Sequence, residues 1–102
     1  MTIVRVIYTA KPEYAEQNKA NIRAVMSDLR QLNNPGISYN ACLSPDGKTF
    51  THTAFFSSDE ERKVLNQLPS FIHFQQQLKA SGPEVPPKQD MPTLVGSSKD
   101  IF

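Results

Sequence analysis

The sequence lacks the residues on which several classes of small protein depend. Its single cysteine, Cys42, cannot form an intrachain disulfide, so a disulfide-stabilised scaffold is excluded and a reducing, cytoplasmic setting is expected. Eleven Lys and Arg residues against ten Asp and Glu residues leave a formal net charge of +1. Without a polybasic field, electrostatic binding to nucleic acid or to an anionic membrane is not expected.

Further absences narrow the chemistry. The apolar run Thr2–Ala10 is too short to be a signal peptide or a membrane span. The four glycines are scattered and form no phosphate-binding loop. The two histidines, His52 and His73, are far apart, and Cys42 has no second cysteine or adjacent histidine. We therefore expect no metal site and no cofactor, and we interpret Cys42 as a small buried residue.

What is present is the composition of an ordinary globular domain, with 38% hydrophobic and 21% charged residues among 102. One domain spanning residues 1–102 is expected. A chain of this size hides roughly two-thirds of the surface that it exposes when unfolded, so burial against a second copy would add stability. The first segment, Thr2–Thr9, is dense in β-branched and aromatic residues, which predicts a central strand.

A helix and a hairpin follow the first strand. Apolar residues recur at helical spacing from Pro12 to Leu32, and Asn33–Gly36 ends the helix because it contains proline and residues that tolerate the left-handed conformation. Two strand-like runs, Ile37–Leu43 and Thr49–Phe56, are joined by Ser44–Gly47, which has the residues of a tight turn. These segments predict a β-hairpin.

The second half of the chain contains two helical segments, a proline-rich stretch and a strand. Ser58 and Glu61 have the spacing of a capping box, in which the serine hydroxyl bonds a backbone amide of the first turn. Four of the eight prolines lie between residues 82 and 92, which predicts an extended crossing loop. The segments are a helix to about Gln67, a second helical segment from Pro69 to Ser81, the loop Gly82–Pro92, the last strand Thr93–Ser97, and a tail Lys99–Phe102 that is either frayed or docked.

The order strand, helix, two strands, helix, strand predicts an α+β, ferredoxin-like βαββαβ fold. In this fold a four-stranded antiparallel sheet carries its helices on one face. The other face would be bare and partly apolar. The third strand would contribute one of its two alternating sets to this face, either Thr49, Thr51, Thr53 and Phe55 or Phe50, His52, Ala54 and Phe56. We therefore predict that two chains stack their sheets face to face into a homodimer.

Several sequence features together resemble one superfamily. The resemblance is to the dimeric α+β barrel proteins of the antibiotic-biosynthesis-monooxygenase-like superfamily, and it covers nearly the whole chain. It implies a cleft between sheet and helices that holds a flat organic ligand and, in some relatives, cofactor-free oxygenation of aromatic or quinone-like substrates. The alternative is a non-catalytic ligand-binding or assembly protein of the same fold. The features are Asn18 on the first helix, Gly36–Tyr39, Asp46–Gly47, Phe50 with His52, and Pro86–Pro87 before Val95–Gly96.

His52 and Asn18 are the candidate catalytic residues. His52 alternates with Phe50 and Ala54 along its strand, so it faces the helices if Phe50 does. It would act either as the base that makes an electron-rich substrate anion or as a core histidine with a structural partner. Asn18 lies on the apolar stripe of the first helix and is the expected partner of His52. It would orient the imidazole or the ligand, or it would satisfy only a local backbone group.

The candidate substrate-binding residues are Tyr39, Phe50, Phe74 and His73. The hydroxyl of Tyr39 would either position an oxygenated ligand or bond across the sheet to Arg5 or Thr53. Phe50 and Phe74 offer aromatic surface to a planar ligand, but the same side chains would also fill an ordinary core.

His73 raises the question of haem. Haem-degrading proteins of the fold bind iron through a helix histidine and also use a tryptophan and an asparagine. This sequence contains no tryptophan, so the resemblance gives little support to haem. The alternative is a surface histidine beside Gln75–Gln77.

Overall fold

The chain folds as a four-stranded antiparallel sheet with helices packed against it, which confirms the predicted ferredoxin-like fold. The structure, a computed structural model, describes all 102 residues. The strands are β1 (Thr2–Thr9), β2 (Ile37–Leu43), β3 (Thr49–Phe56) and β4 (Val85–Asp90), and the helices are α1 (Ala15–Leu32), α2 (Asp59–Gln67) and α3 (Pro69–Ser81).

β1 lies inside the sheet, whose strand order is β2-β3-β1-β4, so the prediction of a central first strand is confirmed. The predicted hairpin of β2 and β3 runs in continuous register from Ile37 opposite Phe56 to Leu43 opposite Phe50. In its turn Gly47 has φ of 78°, a left-handed conformation that glycine adopts without steric cost. This continuous register fixes which residues of β3 face the helices.

Helix α1 ends as the sequence predicts but begins differently. Residues Pro12–Tyr14 form a short 3₁₀ turn, and the α-helix begins at Ala15. At the other end Asn33 has φ of 51° and ψ of 42°, and its N–H donates to the carbonyl of Leu29 at 3.0 Å. Asparagine is one of the few residues that tolerate this left-handed end of a helix.

The second helical region is divided into two helices, as the predicted restart at Pro69 requires. Ser58 occupies the position before α2, but its hydroxyl bonds the carboxylate of Glu61 and caps no backbone amide. The predicted capping box is therefore wrong in its bonding, because the two side chains bond each other. Gly82 ends α3 in the left-handed region, with φ of 66°.

The last strand differs from the prediction. β4 lies inside the proline-rich stretch predicted to be a loop, and Thr93–Ser97 forms no strand. Proline has no N–H to donate to a ladder, so it is tolerated only at a sheet edge or at a bulge. β4 is an edge strand, and the register of its pairing with β1 shifts between Ile7 and Thr9, near Pro86–Pro87. The prolines exclude a central strand, as predicted, but not an edge strand.

The core lies between the sheet and the helices, and α1 packs against α3 above it. Cys42 is exposed on the edge strand β2, because it alternates with Ala41 and Leu43, which pack against the core. Our interpretation of this cysteine as buried is therefore wrong. No helix is both long enough and apolar enough to cross a membrane.

Candidate functional site

His52 faces the helices from the middle of β3. Every second residue of this strand is buried, and the set comprises Phe50, His52, Ala54 and Phe56. Only 5% of His52 is exposed, so its two ring nitrogens require partners inside the protein. Both nitrogens have them.

Four side chains from four elements form a continuous chain of hydrogen bonds. Asn18 Nδ2 donates to Tyr8 Oη at 2.8 Å, and Tyr8 Oη lies 2.8 Å from His52 Nε2. On the other side of the ring, Tyr39 Oη lies 2.6 Å from His52 Nδ1. We call Asn18, Tyr8, His52 and Tyr39 the buried hydrogen-bond chain. It links α1 to the three strands β1, β3 and β2.

The register of the sheet explains why both tyrosines reach the histidine. Tyr8 pairs with Phe50 and Tyr39 pairs with Ala54, so each tyrosine is a diagonal neighbour of His52 on the same face. Diagonal neighbours lie about 7–8 Å apart, a distance that aromatic side chains bridge. The two phenol rings therefore approach the imidazole from opposite sides.

Two predicted partners of these residues are wrong. Asn18 does not contact His52 directly, because the hydroxyl of Tyr8 lies between them. Tyr39 bonds His52 rather than Arg5 or Thr53. Arg5 instead forms an ion pair with Asp90, which lies opposite it on the edge strand, at 2.6 Å. Side-chain alternation places Arg5 and Thr53 on the sheet face away from Tyr39.

Tyr8 is the residue that sequence reasoning missed as part of the site. Its position in an apolar strand indicates a core residue, and it is indeed 1% exposed. The only signal in the sequence was its place on the same side of β1 as Val4 and Val6, facing the helices. Its contact with His52 depends on the pairing of β1 with β3. The local sequence of β1 does not reveal this pairing.

Burial sets the protonation of the chain. It lowers the pKa of His52 from 6.5 to about 4, so the imidazole is neutral at pH 7. Burial also raises the pKa of Tyr8, against the smaller opposing effect of its hydrogen bond from Asn18. The pKa of Tyr39 is raised by burial as well. All members of the chain are therefore uncharged near neutral pH.

A cavity of about 380 Å³ lies between the sheet and α3, at the Tyr39 end of the chain. Tyr39, His52 and Tyr8 are among the residues that line it, while Phe71 and Phe74 form an aromatic wall. The rings of His52 and Phe74 have centroids 5.2 Å apart. The solvent side is lined by exposed residues of α3 and of the chain that follows it, namely Gln75, Lys79, Pro86 and Pro87.

The remaining predicted residues differ in whether they line this cavity. Phe74 lines it without filling it. Phe50 stacks on Tyr8 at a centroid distance of 5.5 Å, but it lines a separate groove. His73 is exposed on α3 and lines neither space. Of the predicted set, the structure therefore brings together His52, Tyr39 and Phe74 at the cavity.

The separate groove is larger and more open, with a volume of about 860 Å³, and it lies between α1 and β2. Its charged lining residues are all basic: Lys19, Arg23 and Arg30. Tyr39 lines both spaces. No group of three or more His, Cys, Asp or Glu side chains is placed to hold a metal ion.

Comparisons with known proteins rest on structure, since no family model and no curated protein matches the sequence. The structural match with a protein from Mycobacterium tuberculosis spans 96% of this chain and 98% of that protein, with a TM-score of 0.79 and 15% identity. The match with an antibiotic biosynthesis monooxygenase spans 94% of this chain and 100% of that protein, with a TM-score of 0.77 and 13% identity. The match with a variant of SnoaB, a cofactor-independent oxygenase from Streptomyces nogalater, spans 97% of this chain and 96% of that protein, with a TM-score of 0.62 and 15% identity. The fold of this chain is therefore that of the antibiotic-biosynthesis-monooxygenase-like proteins, as its sequence features predicted.

Proposed function

We propose that the cavity under α3 binds a small planar molecule, aromatic or quinone-like, in contact with Tyr39 and His52. The observation that carries this proposal is the position of the cavity at the Tyr39 end of the buried hydrogen-bond chain. Ligand sites typically combine apolar walls with a few fixed polar groups, within a volume of roughly 300–1,000 Å³. This cavity has both features.

The aromatic wall supports a planar ligand in particular. The rings of Phe71 and Phe74 are stacked with centroids 6.0 Å apart and an interplanar angle of 30°. The edge of Tyr39 meets Phe71 at 6.2 Å, so three rings surround one side of the space. Offset-stacked and edge-to-face arrangements of this kind favour a further aromatic ring over an aliphatic chain.

The catalytic form of the proposal is cofactor-independent oxygenation, supported by the fold shared with SnoaB. In such a reaction an activated carbon of the substrate loses a proton, and the resulting anion reduces dioxygen and forms a C–O bond. The peroxide anion takes a proton back from the base, and the resulting hydroperoxide loses water and leaves a carbonyl group. His52 is the candidate base in this scheme, and to accept the substrate proton it must first lose the hydrogen bond that a tyrosine donates to its unprotonated nitrogen. Tyr39 would donate a hydrogen bond to the developing oxyanion.

The alternative is a protein of the same fold that binds such a ligand without turning it over. The pKa of His52, lowered by burial to about 4, favours this alternative. A phenol-like substrate has a pKa of about 10, so proton transfer to His52 would be uphill by about 8 kcal/mol before any ion pairing. Turnover therefore decides between the two forms.

Binding is tested first, by calorimetric titration of the purified protein with 1,4-naphthoquinone. We expect saturable binding, a loss of affinity in Tyr39→Phe and His52→Gln, and wild-type affinity in Thr51→Ala. Thr51 is the matched control because it precedes His52 on β3 but lies on the opposite face of the sheet. Equal affinity in all four proteins would overturn the assignment of the cavity. Loss of folding in His52→Gln with unchanged naphthoquinone binding in Tyr39→Phe would make His52 a core residue only.

Turnover is tested with anthrone, which reacts with one dioxygen to give anthraquinone and one water. Oxygen uptake and anthraquinone formation are measured together, with protein-free buffer as the control for spontaneous oxidation. Catalysis that is abolished in His52→Gln at anthrone concentrations high enough to saturate the weakened variant supports the oxygenase. Binding without any acceleration over buffer supports the non-catalytic alternative.

A homodimer formed through the open sheet face is the second part of the proposal. Ile7 is 41% exposed on this face, and the row Thr49, Thr51, Thr53 and Phe55 is only half-buried on it. Such a surface is partly apolar, and two of its charged residues, Arg5 and Asp90, neutralise each other in an ion pair, which suits association with a second copy. Native mass spectrometry should give a dimer mass, and Thr53→Lys at the centre of the face should give a monomer. A monomeric wild-type protein would refute the dimer.

A further inference from the structure

The buried hydrogen-bond chain has a direction, because each link joins one donor to one acceptor. Asn18 Nδ2 can only donate, and it donates to Tyr8 Oη at 2.8 Å. The neutral imidazole of His52 carries one ring proton, so one of its nitrogens donates and the other accepts. Two proton arrangements of Tyr8, His52 and Tyr39 are consistent with the distances.

In the first arrangement Tyr8 donates its hydroxyl proton to His52 Nε2, and His52 Nδ1–H donates to Tyr39 Oη. The hydroxyl of Tyr8 and the ring N–H of His52 then both have acceptors. The hydroxyl proton of Tyr39 is left over, and Tyr39 lines the cavity. A ligand or a water molecule in the cavity can accept that proton.

In the second arrangement His52 Nε2–H donates to Tyr8 Oη, and Tyr39 donates to Nδ1. Tyr8 Oη then accepts from both Asn18 and His52, and its own proton has no acceptor. The hydroxyl of Tyr8 lies between Asn18 Nδ2 and His52 Nε2, both donors in this arrangement, and only 1% of Tyr8 is exposed. Native structures rarely leave a buried donor unpaired, which favours the first arrangement.

The amide of Asn18 therefore controls the far end of the chain. If Oδ1 rather than Nδ2 faced Tyr8, the carboxamide would accept the Tyr8 proton and the second arrangement would be satisfied. The structure places Nδ2 on Tyr8 and leaves Oδ1 buried without a partner. One amide orientation on α1 thus determines whether Tyr39 offers a proton or a lone pair to the cavity.

We infer that Asn18, acting through Tyr8, is a positioning residue that holds His52 in the Nδ1–H tautomer, so that the cavity selects ligands with a hydrogen-bond acceptor facing Tyr39. The acceptor is a carbonyl or a phenolate oxygen, and a ligand that can only donate is disfavoured. This inference rests on the proposed function, because the selected ligand occupies the same cavity.

The tautomer is tested in the ligand-free protein, so this test does not depend on binding. Two-bond proton–nitrogen correlation spectra of ¹⁵N-histidine-labelled protein distinguish a protonated Nδ1 from a protonated Nε2. We expect a single Nδ1–H form for His52 and averaged tautomers for the exposed His73, which serves as the internal control. Asn18→Asp, whose ionised carboxylate can only accept, should take the Tyr8 proton and convert the His52 signals to the Nε2–H form. An Nε2–H form in the wild-type protein would overturn the inference whether or not the variant folds.

Selectivity is tested with three small bicyclic probes of similar size. The first, 1-indanone, only accepts a hydrogen bond, indole only donates one through its N–H, and indane does neither. We expect 1-indanone to bind roughly two- to tenfold more tightly than indane, and indole to gain nothing over indane. Tyr39→Phe should abolish the preference for 1-indanone.

The outcomes separate the inference from the function on which it rests. A preference for indole over 1-indanone overturns the inference while leaving the cavity a binding site. If none of the three probes binds and 1,4-naphthoquinone also fails, the proposed function is overturned. In that case the NMR measurement of the His52 tautomer in the ligand-free protein still decides whether Asn18 positions the imidazole.

Discussion

The hydroxyl of Tyr8 is the atom on which the buried hydrogen-bond chain depends, and Tyr8→Phe removes it alone. The change deletes two hydrogen bonds of 2.8 Å each and leaves the side chain of Asn18, which is 0% exposed, without any partner. It also leaves Nε2 of His52 unpaired. Each of the two unsatisfied buried groups costs about 1–3 kcal/mol, so we expect the free energy of unfolding to fall by about 2–6 kcal/mol.

Urea unfolding followed by far-ultraviolet circular dichroism measures this loss, at one fixed protein concentration because dimerisation would shift the midpoint. In a domain of this size each kcal/mol lowers the Tm by about 4–8 °C, so a thermal scan gives a second estimate. Tyr14→Phe is the matched control, since the Tyr14 hydroxyl makes one long contact of 3.3 Å, with Asn21, at a half-buried site. If Tyr8→Phe destabilises the protein no more than Tyr14→Phe, the chain does not hold the core as argued.

Two further predictions concern His52 and Gly36. Because the pKa of His52 is lowered from 6.5 to about 4, the unfolded chain binds a proton between these pH values that the native protein does not. The stability contributed by the neutral imidazole is therefore complete above pH 6.5 and is lost as the pH falls through 4, by about 3 kcal/mol. Urea titrations from pH 7 to 4 should show a shallower decline in His52→Gln, and equal slopes would contradict the prediction. Gly36→Ala places a Cβ against Ser57 Oγ and 2.7 Å from Glu61 Cγ, and because both side chains can move it should cost about 1 kcal/mol. The same urea assay should show recovery when Ser57→Ala and Glu61→Ala are added together, and no recovery would refute the clash.

Local patterns were sufficient to predict most of the fold. The period-two and helical spacings identified β1 to β3 and α1, and the residues that end a helix placed its boundary at Asn33. The last strand was mispredicted because two prolines argue against a strand only if the ladder needs their N–H groups. Whether it does depends on the position of the strand in the sheet, and β4 is at an edge.

The site was predictable only in part, for a related reason. Side-chain alternation placed His52 on the helix side of β3, because that inference needs only one strand. The identity of its partners needs the register of three strands. The sequence therefore suggested Asn18 as a direct partner, whereas the register places Tyr8 between the two residues.

The coincidence of the polar chain with the cavity is what separates this site from an ordinary core. Burying uncharged polar groups costs free energy that their hydrogen bonds only approximately return, so a core selected for stability alone would favour an apolar side chain at position 52. A cavity of about 380 Å³ beside Phe74 removes packing contacts from the same place. Both features reduce the stability of the ligand-free protein, and one occupant would compensate for both. A planar molecule in the cavity would restore packing against the aromatic wall and accept the remaining proton of Tyr39. Ligand binding should therefore raise the Tm of the wild-type protein more than that of Tyr39→Phe, because only the wild-type protein gains the hydrogen bond.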